Sequence, residues 1–352
     1  MARILYALMG DARGHMNHAL MVAQGLSRHE FLFVGGGTAT DLRSLGYNVE
    51  EVHFAATYYK NNSVDIPSTV GNALKVFGER RKIVRRLCEI ITAFDPNLII
   101  SDYEYFTPLA ARMLGRDCIS FDHQHIVTHC RYDPPPVQRG GRLMLKLIAS
   151  RFYSNCSRFI IISFFNLPPI DASSTEVLPP LIRKSVTEHA PTEGDHVLVY
   201  QTSPTFFKLF PVLEEMNSRF VIYGFGALPS RKNLEFKAVS DHGFLEDLAS
   251  SRYCIVNGGH NVISEALFLK KPVFCFPIGS AYEQFINAYF VQKLSFGDYS
   301  VASKPITGML DSFESRLTVF RDSIRRENFY GNEVVCRRLE ELIVNNEDGE
   351  DA

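Results

Sequence analysis

One stretch in the second half of the chain combines glycine with polar groups at the start of an apolar helical pattern. It contains Gly258, Gly259, His260 and Asn261. Glycine lets a backbone approach a ligand closely, and the free amides of a helix N-terminus attract anions. Glu265 follows one helical turn later, where a carboxylate suits ribose hydroxyls. We predict a nucleoside diphosphate site here, with tight helix packing as the alternative.

A polar pair, Glu283 and Gln284, follows the apolar run Val273–Phe276. Ligands of open α/β sheets bind at the carboxyl ends of strands. A carboxylate beside an amide can bind neighbouring sugar hydroxyls. We therefore predict a sugar-binding role, and a solvated helix start is the alternative.

Gly14 and His15 follow the apolar run Arg3–Met9. Histidine titrates near neutral pH, so it can remove a proton from a hydroxyl group. Asp122, at the end of a later strand, is predicted to hold the other ring nitrogen of His15. A purely structural helix start is the alternative for His15.

Other polar side chains follow the apolar runs of the first half. Asp102 and Tyr103 follow one run, while His123 and His125 follow another. The spacing of the two histidines does not match common zinc motifs, and no second cluster accompanies them. We predict polar walls of an acceptor site, or structural roles, and no metal.

The elements that would position these residues alternate between buried strands and amphipathic helices, which predicts parallel sheets. A long polar loop is predicted over Phe54–Val70, followed by one helix over Gly71–Phe94. We divide the chain into a domain at 1–166, a linker at 167–183, a second domain at 184–325, and a C-terminal helix with an acidic tail at 326–352. Neither glycine-rich turn fits the GxGxxG pattern of dinucleotide-binding enzymes.

Composition excludes several classes of protein. The chain has 352 residues and a formal net charge of −2, which gives no electrostatic footprint for nucleic acid. Its 7 cysteines form no CxxC pair and are expected to be free thiols. No apolar run approaches the roughly 18 residues of a membrane span. We expect a soluble cytoplasmic protein, whose basic stretches Arg80–Arg86 and Arg139–Arg151 are either solvated helix faces or a peripheral membrane contact.

Taken together, these motifs resemble the GT-B glycosyltransferases, the group that includes the peptidoglycan N-acetylglucosaminyltransferase and the UDP-glycosyltransferases. The resemblance rests on the Gly14-His15 loop, NGGHNVISEAL over 257–267, the EQ pair at 283–284, and DHQH at 122–125. It covers nearly the whole chain and is strongest to a poorly characterised prokaryotic branch that carries DHQH. It implies an α/β fold of two Rossmann-like domains whose parallel sheets face each other across a cleft.

The resemblance also implies roles. The N-terminal domain would bind the acceptor and the C-terminal domain a nucleotide-sugar, most often a UDP-sugar, without another cofactor. His15 would be the catalytic base, with Asp122 orienting it. The donor-binding residues would be Gly14, Gly258, Gly259, His260, Asn261, Glu265, Glu283 and Gln284. The acceptor-side candidates would be Asp102, Tyr103, His123 and His125.

Departures from the family pattern refine the prediction. The first loop, GDARGH, is less glycine-rich than usual, and the absence of tryptophan argues against a plant-like enzyme acting on small molecules. Asn257 stands where retaining relatives begin a Glu–seven–Glu spacing, which implies inversion. We predict an inverting, metal-independent glycosyltransferase acting on an acceptor hydroxyl, with a cell-envelope or lipid-linked acceptor. The alternatives are a non-hydrolysing nucleotide-sugar epimerase and a non-catalytic nucleotide-sugar-binding protein.

Overall fold

The computed structural model describes residues 1–11, 13–152, 155–238, 240–301 and 307–350, and the chain divides into two units. The first unit comprises Met1–Tyr58, Asp65–Leu181 and Gly331–Ala352, and the second comprises Tyr59–Val64 and Ile182–Tyr330. The short segment Tyr59–Val64 therefore belongs to the second unit, although its neighbours in sequence belong to the first.

Strands lie on the predicted apolar runs Arg3–Met9 and Val273–Phe276, and further strands lie where none was predicted, within 54–70 and 167–183. In chain order they are β1 Arg3–Leu8, β2 Glu30–Val34, β3 Asn48–Glu50, β4 Tyr59–Lys60, β5 Ser63–Val64, β6 Leu98–Asp102, β7 Ile119–Asp122, β8 Arg158–Ile162, β9 Thr175–Leu178, β10 His196–Tyr200, β11 Arg219–Tyr223, β12 Leu234–Phe236, β13 Cys254–Val256, β14 Val273–Cys275 and β15 Gly297–Tyr299.

The helices connect these strands. They are α1 Arg13–Gly25, α2 Ile66–Gly78, α3 Arg80–Phe94, α4 Phe106–Met113, α5 Ile126–His129, α6 Arg139–Phe152, α7 Lys184–Thr187, α8 Phe210–Glu214, α9 Asp241–Ser250, α10 His260–Phe268, α11 Tyr282–Lys293, α12 Thr307–Glu314, α13 Leu317–Arg325 and α14 Asn332–Glu350. Shorter 3-10 helices cover Gly37–Leu45, Pro136–Gln138 and Phe207–Leu209.

The first unit is built on a seven-stranded parallel sheet in the order β3-β2-β1-β6-β7-β8-β9. Alternate residues of β1 enter separate apolar clusters: Ile4 and Tyr6 join one, and Leu5 and Ala7 join another. Strand order reverses between β1 and β6, so the topological switch point lies there.

The second unit contains a six-stranded parallel sheet in the order β12-β11-β10-β13-β14-β15. Its central strands bury Val197, Phe220, Ile255 and Phe274 completely or nearly so. The switch point of this sheet lies between β10 and β13. Both parallel sheets follow from the alternation of strands and helices along the sequence.

Three features differ from the predicted elements. The expected linker contains β9, which extends the first sheet. The expected single helix over 71–94 is two helices separated at Glu79, because Gly78 is a weak helix former. The first of them begins earlier than expected, because the Asp65 side chain caps it by accepting from the Ser68 amide. The C-terminal helix predicted within 326–352 is α14, but it is not separate from the first unit, because its Val335 and Leu339 lie in the core of that unit.

Candidate functional site

In the first unit, a histidine–aspartate pair lies at the switch point of the sheet. His15 is in the first turn of α1, directly after β1, and Asp102 is the last residue of β6. Leu8 at the end of β1 is aligned with Asp102 across the two strands. This alignment brings Nδ1 of His15 to 2.6 Å from Oδ1 of Asp102, and both side chains are buried.

The pair fixes the tautomer of His15. Burial raises the pKa of Asp102, but the charge and hydrogen bonds of His15 and His18 outweigh it and hold that pKa below its usual value. An ionised carboxylate only accepts hydrogen bonds, so Nδ1 of His15 carries the proton that it donates. The lone pair is then on Nε2, which can act as a base.

Further polar groups surround Asp102. Nδ1 of His18 lies 3.4 Å from Oδ2 of Asp102. The Tyr6 hydroxyl donates to the same oxygen at 3.2 Å, and burial together with Asp102 raises the pKa of Tyr6 well above its usual value. Tyr6 therefore stays a hydrogen-bond donor. These contacts hold the carboxylate in one orientation beneath His15.

The predicted partner of His15 was wrong, because Asp122 binds other groups. Asp122 ends β7, which is one strand further from β1 than β6 is. Its carboxylate accepts from Nδ1 of His125 at 2.7 Å, from the His125 amide at 2.9 Å and from the Ser120 hydroxyl at 2.6 Å. Asp122 therefore organises its own loop.

The remaining acceptor-side candidates lie on the same edge of the sheet with separate contacts. Nδ1 of His123 bonds to the carbonyl of Ile162 at 2.9 Å. Tyr103 has a φ of 53°, a left-handed conformation, and its ring centroid lies 5.6 Å from that of His125. Gly14 lies in the first turn of α1. The positive φ of Tyr103 is a strained conformation for a bulky residue, and such strain often marks functional loops.

Gln124 was not selected from the sequence, although it lies in the same DHQH segment. Its Nε2 is 3.5 Å from Nε2 of His15, and its buried Oε1 has no hydrogen-bond partner among the described residues. A buried amide oxygen without a partner is costly, and a ligand hydroxyl could satisfy it. Gln124 thus faces the basic nitrogen of His15.

One group in the described part of the chain has the composition of a metal site. Ligand atoms of His15, His18 and Asp102 all lie within 4.8 Å of one another. Two imidazoles and a carboxylate can coordinate a divalent transition metal. His15 and Asp102 already form the hydrogen-bonded pair described above. A metal ion bound by these residues would compete with that hydrogen bond.

A cavity of about 290 Å³ lies in the first unit near the ends of β2 and β3. Its lining includes Gly37, Phe54, Asn72 and Val76. A Cβ atom at Gly37 would lie 2.4 Å from the carbonyl oxygen of Gly10, in the turn that leads to His15. The cavity therefore borders the loop that positions the histidine.

In the second unit, the predicted glycine turn joins β13 to α10. Gly259 is the N-cap of α10 and makes no side-chain capping bond to the first turn of the helix. Gly258 packs so closely on α11 that a Cβ atom would lie 2.6 Å from the carbonyl oxygen of Gln284. Nδ2 of Asn287 donates to the Gly258 carbonyl at 2.9 Å. This geometry suits an anion at the helix N-terminus.

Glu265 has a partner that sequence reasoning missed. Nε and Nη2 of Arg183 donate to its two carboxylate oxygens at 2.6 and 2.9 Å. Residue 183 is far away in sequence, and no local pattern links it to Glu265. His260 and Asn261 contact each other, with Nδ1 and Oδ1 3.2 Å apart. A ribose bound by Glu265 would share this carboxylate with Arg183.

The acid–amide pair lies in the first turn of α11 of the same unit. Amide donors hold both side chains: Oε1 of Gln284 accepts from the Ile278 backbone amide at 3.1 Å, and Oε1 of Glu283 accepts from Nδ2 of Asn287 at 3.3 Å. Asn287 also binds Gly258, so one asparagine connects the two predicted parts of the donor site. The structure thus brings the glycine turn and the pair together.

The class of this protein follows from its match to one family model. The model described as "Glycosyl transferase family 1" matches residues 2–317. The chain belongs to this family. It is a glycosyltransferase. Two proteins of Methanosarcina acetivorans, each described as an uncharacterized glycosyltransferase, are 24% and 23% identical to it and align with 92% and 97% of this chain, and with 93% and 92% of their own lengths.

Solved glycosyltransferase structures share the GT-B fold. The calicheamicin glycosyltransferase CalG4 superposes with a TM-score of 0.66 at 16% identity, covering 97% of this chain and 98% of CalG4. MurG of Acinetobacter baumannii gives 0.63 at 14% identity, covering 97% and 100%. A UDP-glucosyltransferase from Polygonum tinctorium gives 0.68 at 12% identity, covering 97% and 99%. At such identities the likeness concerns the fold.

No helix among the described residues has the length and apolarity needed to cross a membrane.

Proposed function

We propose that this glycosyltransferase is an inverting enzyme that moves a sugar from a nucleoside diphosphate sugar, a UDP-sugar, to an acceptor hydroxyl without a metal. The observation that carries the proposal is the buried pair of His15 and Asp102, whose Nδ1 and Oδ1 atoms are 2.6 Å apart. A histidine held in one tautomer by a carboxylate is suited to take a proton from a hydroxyl group.

The proposed reaction is a single displacement. Nε2 of His15 takes the acceptor proton while the hydroxyl oxygen forms a bond to the anomeric carbon of the donor. The bond from that carbon to the diphosphate oxygen breaks, and the anomeric configuration inverts. Asp102 stabilises the imidazolium that forms. The N-terminus of α10, at Gly259 and His260, would stabilise the charge on the leaving diphosphate.

The donor site offers a direct test in the second unit. Calorimetry and thermal shifts would be measured with UDP, dTDP and GDP, because a ligand that binds the native state stabilises it. We expect one nucleotide to bind, and Glu265→Ala to raise its Kd by about 10- to 100-fold, the value of hydrogen bonds to a charged group. Absence of binding by all three at millimolar concentration would contradict the proposed function and favour a vestigial site.

Arg183 separates ligand binding from structural support in this test. Arg183→Met also removes the ion pair but leaves the Glu265 carboxylate available to a ribose. We expect this variant to bind nucleotide much more tightly than Glu265→Ala. Equal losses of melting temperature with an unchanged Kd in both variants would assign Glu265 a structural role only. The outcome distinguishes a binding carboxylate from a packing contact.

We also propose a peripheral membrane contact, which would bring a cytoplasmic enzyme to a lipid-linked acceptor. On α6, Leu143, Met144 and Leu147 are 60%, 60% and 61% exposed, and Lys146 is exposed beside them. Exposed apolar residues flanked by cations are typical of helices that lie on anionic membranes. The basic face of α3 adds exposed charge in the same unit, including Arg81.

Vesicle binding tests this contact. The protein should co-sediment with vesicles containing an anionic phospholipid, and the double variant Leu143→Glu/Leu147→Glu should bind at least about tenfold more weakly, since two leucines would leave the bilayer interface. Leu45→Glu is the matched control, because Leu45 is 54% exposed elsewhere in the first unit. Equal binding of all three proteins, or none, would exclude α6 as the contact.

A further inference from the structure

The segment Tyr59–Val64 is a two-stranded antiparallel hairpin with a two-residue turn. The turn residues Asn61 and Asn62 have φ values of 52° and 54°, as the tight turns of hairpins require. Asparagine tolerates this left-handed conformation better than most residues. A hairpin of two-residue strands is not stable alone, so its conformation depends on what it contacts.

Within the second unit, the hairpin is bonded to the loop between β14 and α11. The Gly279 amide donates to the carbonyl of Asn62 at 2.7 Å, and the Val64 amide donates to the carbonyl of Gly279 at 2.9 Å. The Asn62 amide donates to the Thr205 hydroxyl at 2.8 Å. A Cβ atom at residue 279 would lie 2.9 Å from Oγ of Ser63, so glycine permits this close approach.

A chain of three side-chain amides continues from the hairpin into the switch point of the sheet. Nδ2 of Asn257 donates to Oδ1 of Asn62 at 3.1 Å and to Oε1 of Gln201 at 2.6 Å. Asn257 and Gln201 directly follow β13 and β10, the two strands that flank the switch point. Both are buried, and within the described residues Nε2 of Gln201 has no hydrogen-bond partner.

These contacts support both predicted halves of the donor site. Asn257 immediately precedes Gly258 of the glycine turn. The Gly279 loop leads into α11, and its Ile278 amide donates to Gln284 of the acid–amide pair. The unsatisfied Nε2 of Gln201 is a buried donor at a position where open α/β sheets bind ligands. A ligand oxygen at that nitrogen would complete the amide chain.

We propose that the hairpin Tyr59–Val64 is part of the donor site and that Asn62 is a positioning residue for the nucleoside diphosphate sugar. This inference rests on the proposed function. Docking of the hairpin holds Asn257 and the Gly279 loop in the conformation that binds the ligand. By linkage, the bound ligand stabilises the docked hairpin by the same factor.

Two variants undock the hairpin without changing a predicted ligand contact. Asn62→Gly keeps the left-handed turn but removes the side-chain acceptor of Asn257. Gly279→Ala places a methyl group against Ser63. Gly308→Ala is the control, since nothing in the described part of the chain lies within 4 Å of a Cβ atom there. We expect Asn62→Gly and Gly279→Ala each to raise the calorimetric Kd for UDP-glucose, or for the nucleotide that wild type prefers, by about 5- to 100-fold. The Kd of the control should match that of wild type.

A fluorescent reporter tests the coupling directly. The chain has no tryptophan, so Tyr59→Trp places a single one in the hairpin. Its emission should change saturably during the nucleotide titration, with the Kd that calorimetry gives for the same variant, and adding Asn62→Gly should shift that midpoint upward. Nucleotide binding by wild type with unchanged Kd in both undocking variants would overturn this inference alone. A wild type that binds no nucleotide would instead overturn the proposed function.

Discussion

Replacing His15 by alanine is expected to lower kcat for glycosyl transfer by about 10²- to 10⁴-fold, the usual contribution of a positioned general base. The loss follows because Nε2 of His15 is the basic atom of the buried pair with Asp102. Donor binding should be unchanged, since all the predicted donor residues except Gly14 belong to the second unit. The measurement is single-turnover transfer with EDTA present, alongside calorimetric Kd values for the donor.

His29 provides a matched control for this substitution. Its Nε2 lies 3.0 Å from a carboxylate oxygen of Glu340, so it forms the same kind of pair in the same unit. It immediately precedes β2, at the amino edge of the sheet where open α/β sheets do not bind ligands. We expect His29→Ala to cost stability and leave kcat unchanged. Transfer by His15→Ala within tenfold of wild type would reject His15 as the base.

The second large effect concerns the two aspartates. Asp102→Asn should lower kcat by about 10²- to 10⁴-fold, because an amide in place of the carboxylate no longer imposes the tautomer of His15. Asp122→Asn should change kcat by no more than a few fold, since Asp122 bonds to Ser120 and His125 instead. Cooperative thermal unfolding of both variants would show that each chain is folded. The reverse ranking of the two variants would restore Asp122 as the partner of His15.

Acid unfolding supplies an independent readout for Asp122. Burial raises the pKa of this carboxyl, but His125 and Ser120 outweigh it and lower the pKa from 3.8 to about 2. A depressed pKa in the folded state means that the ionised group stabilises the fold above about pH 3.8 and that this stability is lost as the pH falls toward 2. Asp122→Asn should therefore be less stable at neutral pH and should lack this dependence in urea titrations between pH 5 and 2.

The sequence predicted Asp122 as the partner of His15, whereas the structure has Asp102 in that place. Asp102 and Asp122 both end buried strands, and each could in principle have met His15. Their distances from His15 depend on strand order, which apolar periodicity does not encode. β6 is adjacent to β1, whereas β7 is one strand further out. The backbone of Asp122 is therefore roughly 5 Å further from β1 than that of Asp102. The register that aligns Leu8 with Asp102 then brings the latter to His15.

The sequence by itself determined the local units of this protein. Apolar runs predicted the central strands of both sheets. The glycine turn before α10 and the start of α11 were readable because each lies within a few consecutive residues. Backbone sterics and hydrogen bonding act over that range, so composition and spacing suffice. The resemblance to GT-B enzymes rests on these local motifs, and the family match confirmed it.

Only the tertiary structure decided which distant groups meet. Arg183 binds Glu265 across 82 positions, and Asn62 binds Asn257 across 195. Neither contact leaves a periodic signal, because each depends on how separate loops converge at the edge of one sheet. The hairpin turn was equally hidden, since Asn61 and Asn62 lie in a polar loop whose strands are two residues each. Long-range packing therefore set the partners of the proposed catalytic and binding side chains, while local chemistry set their types.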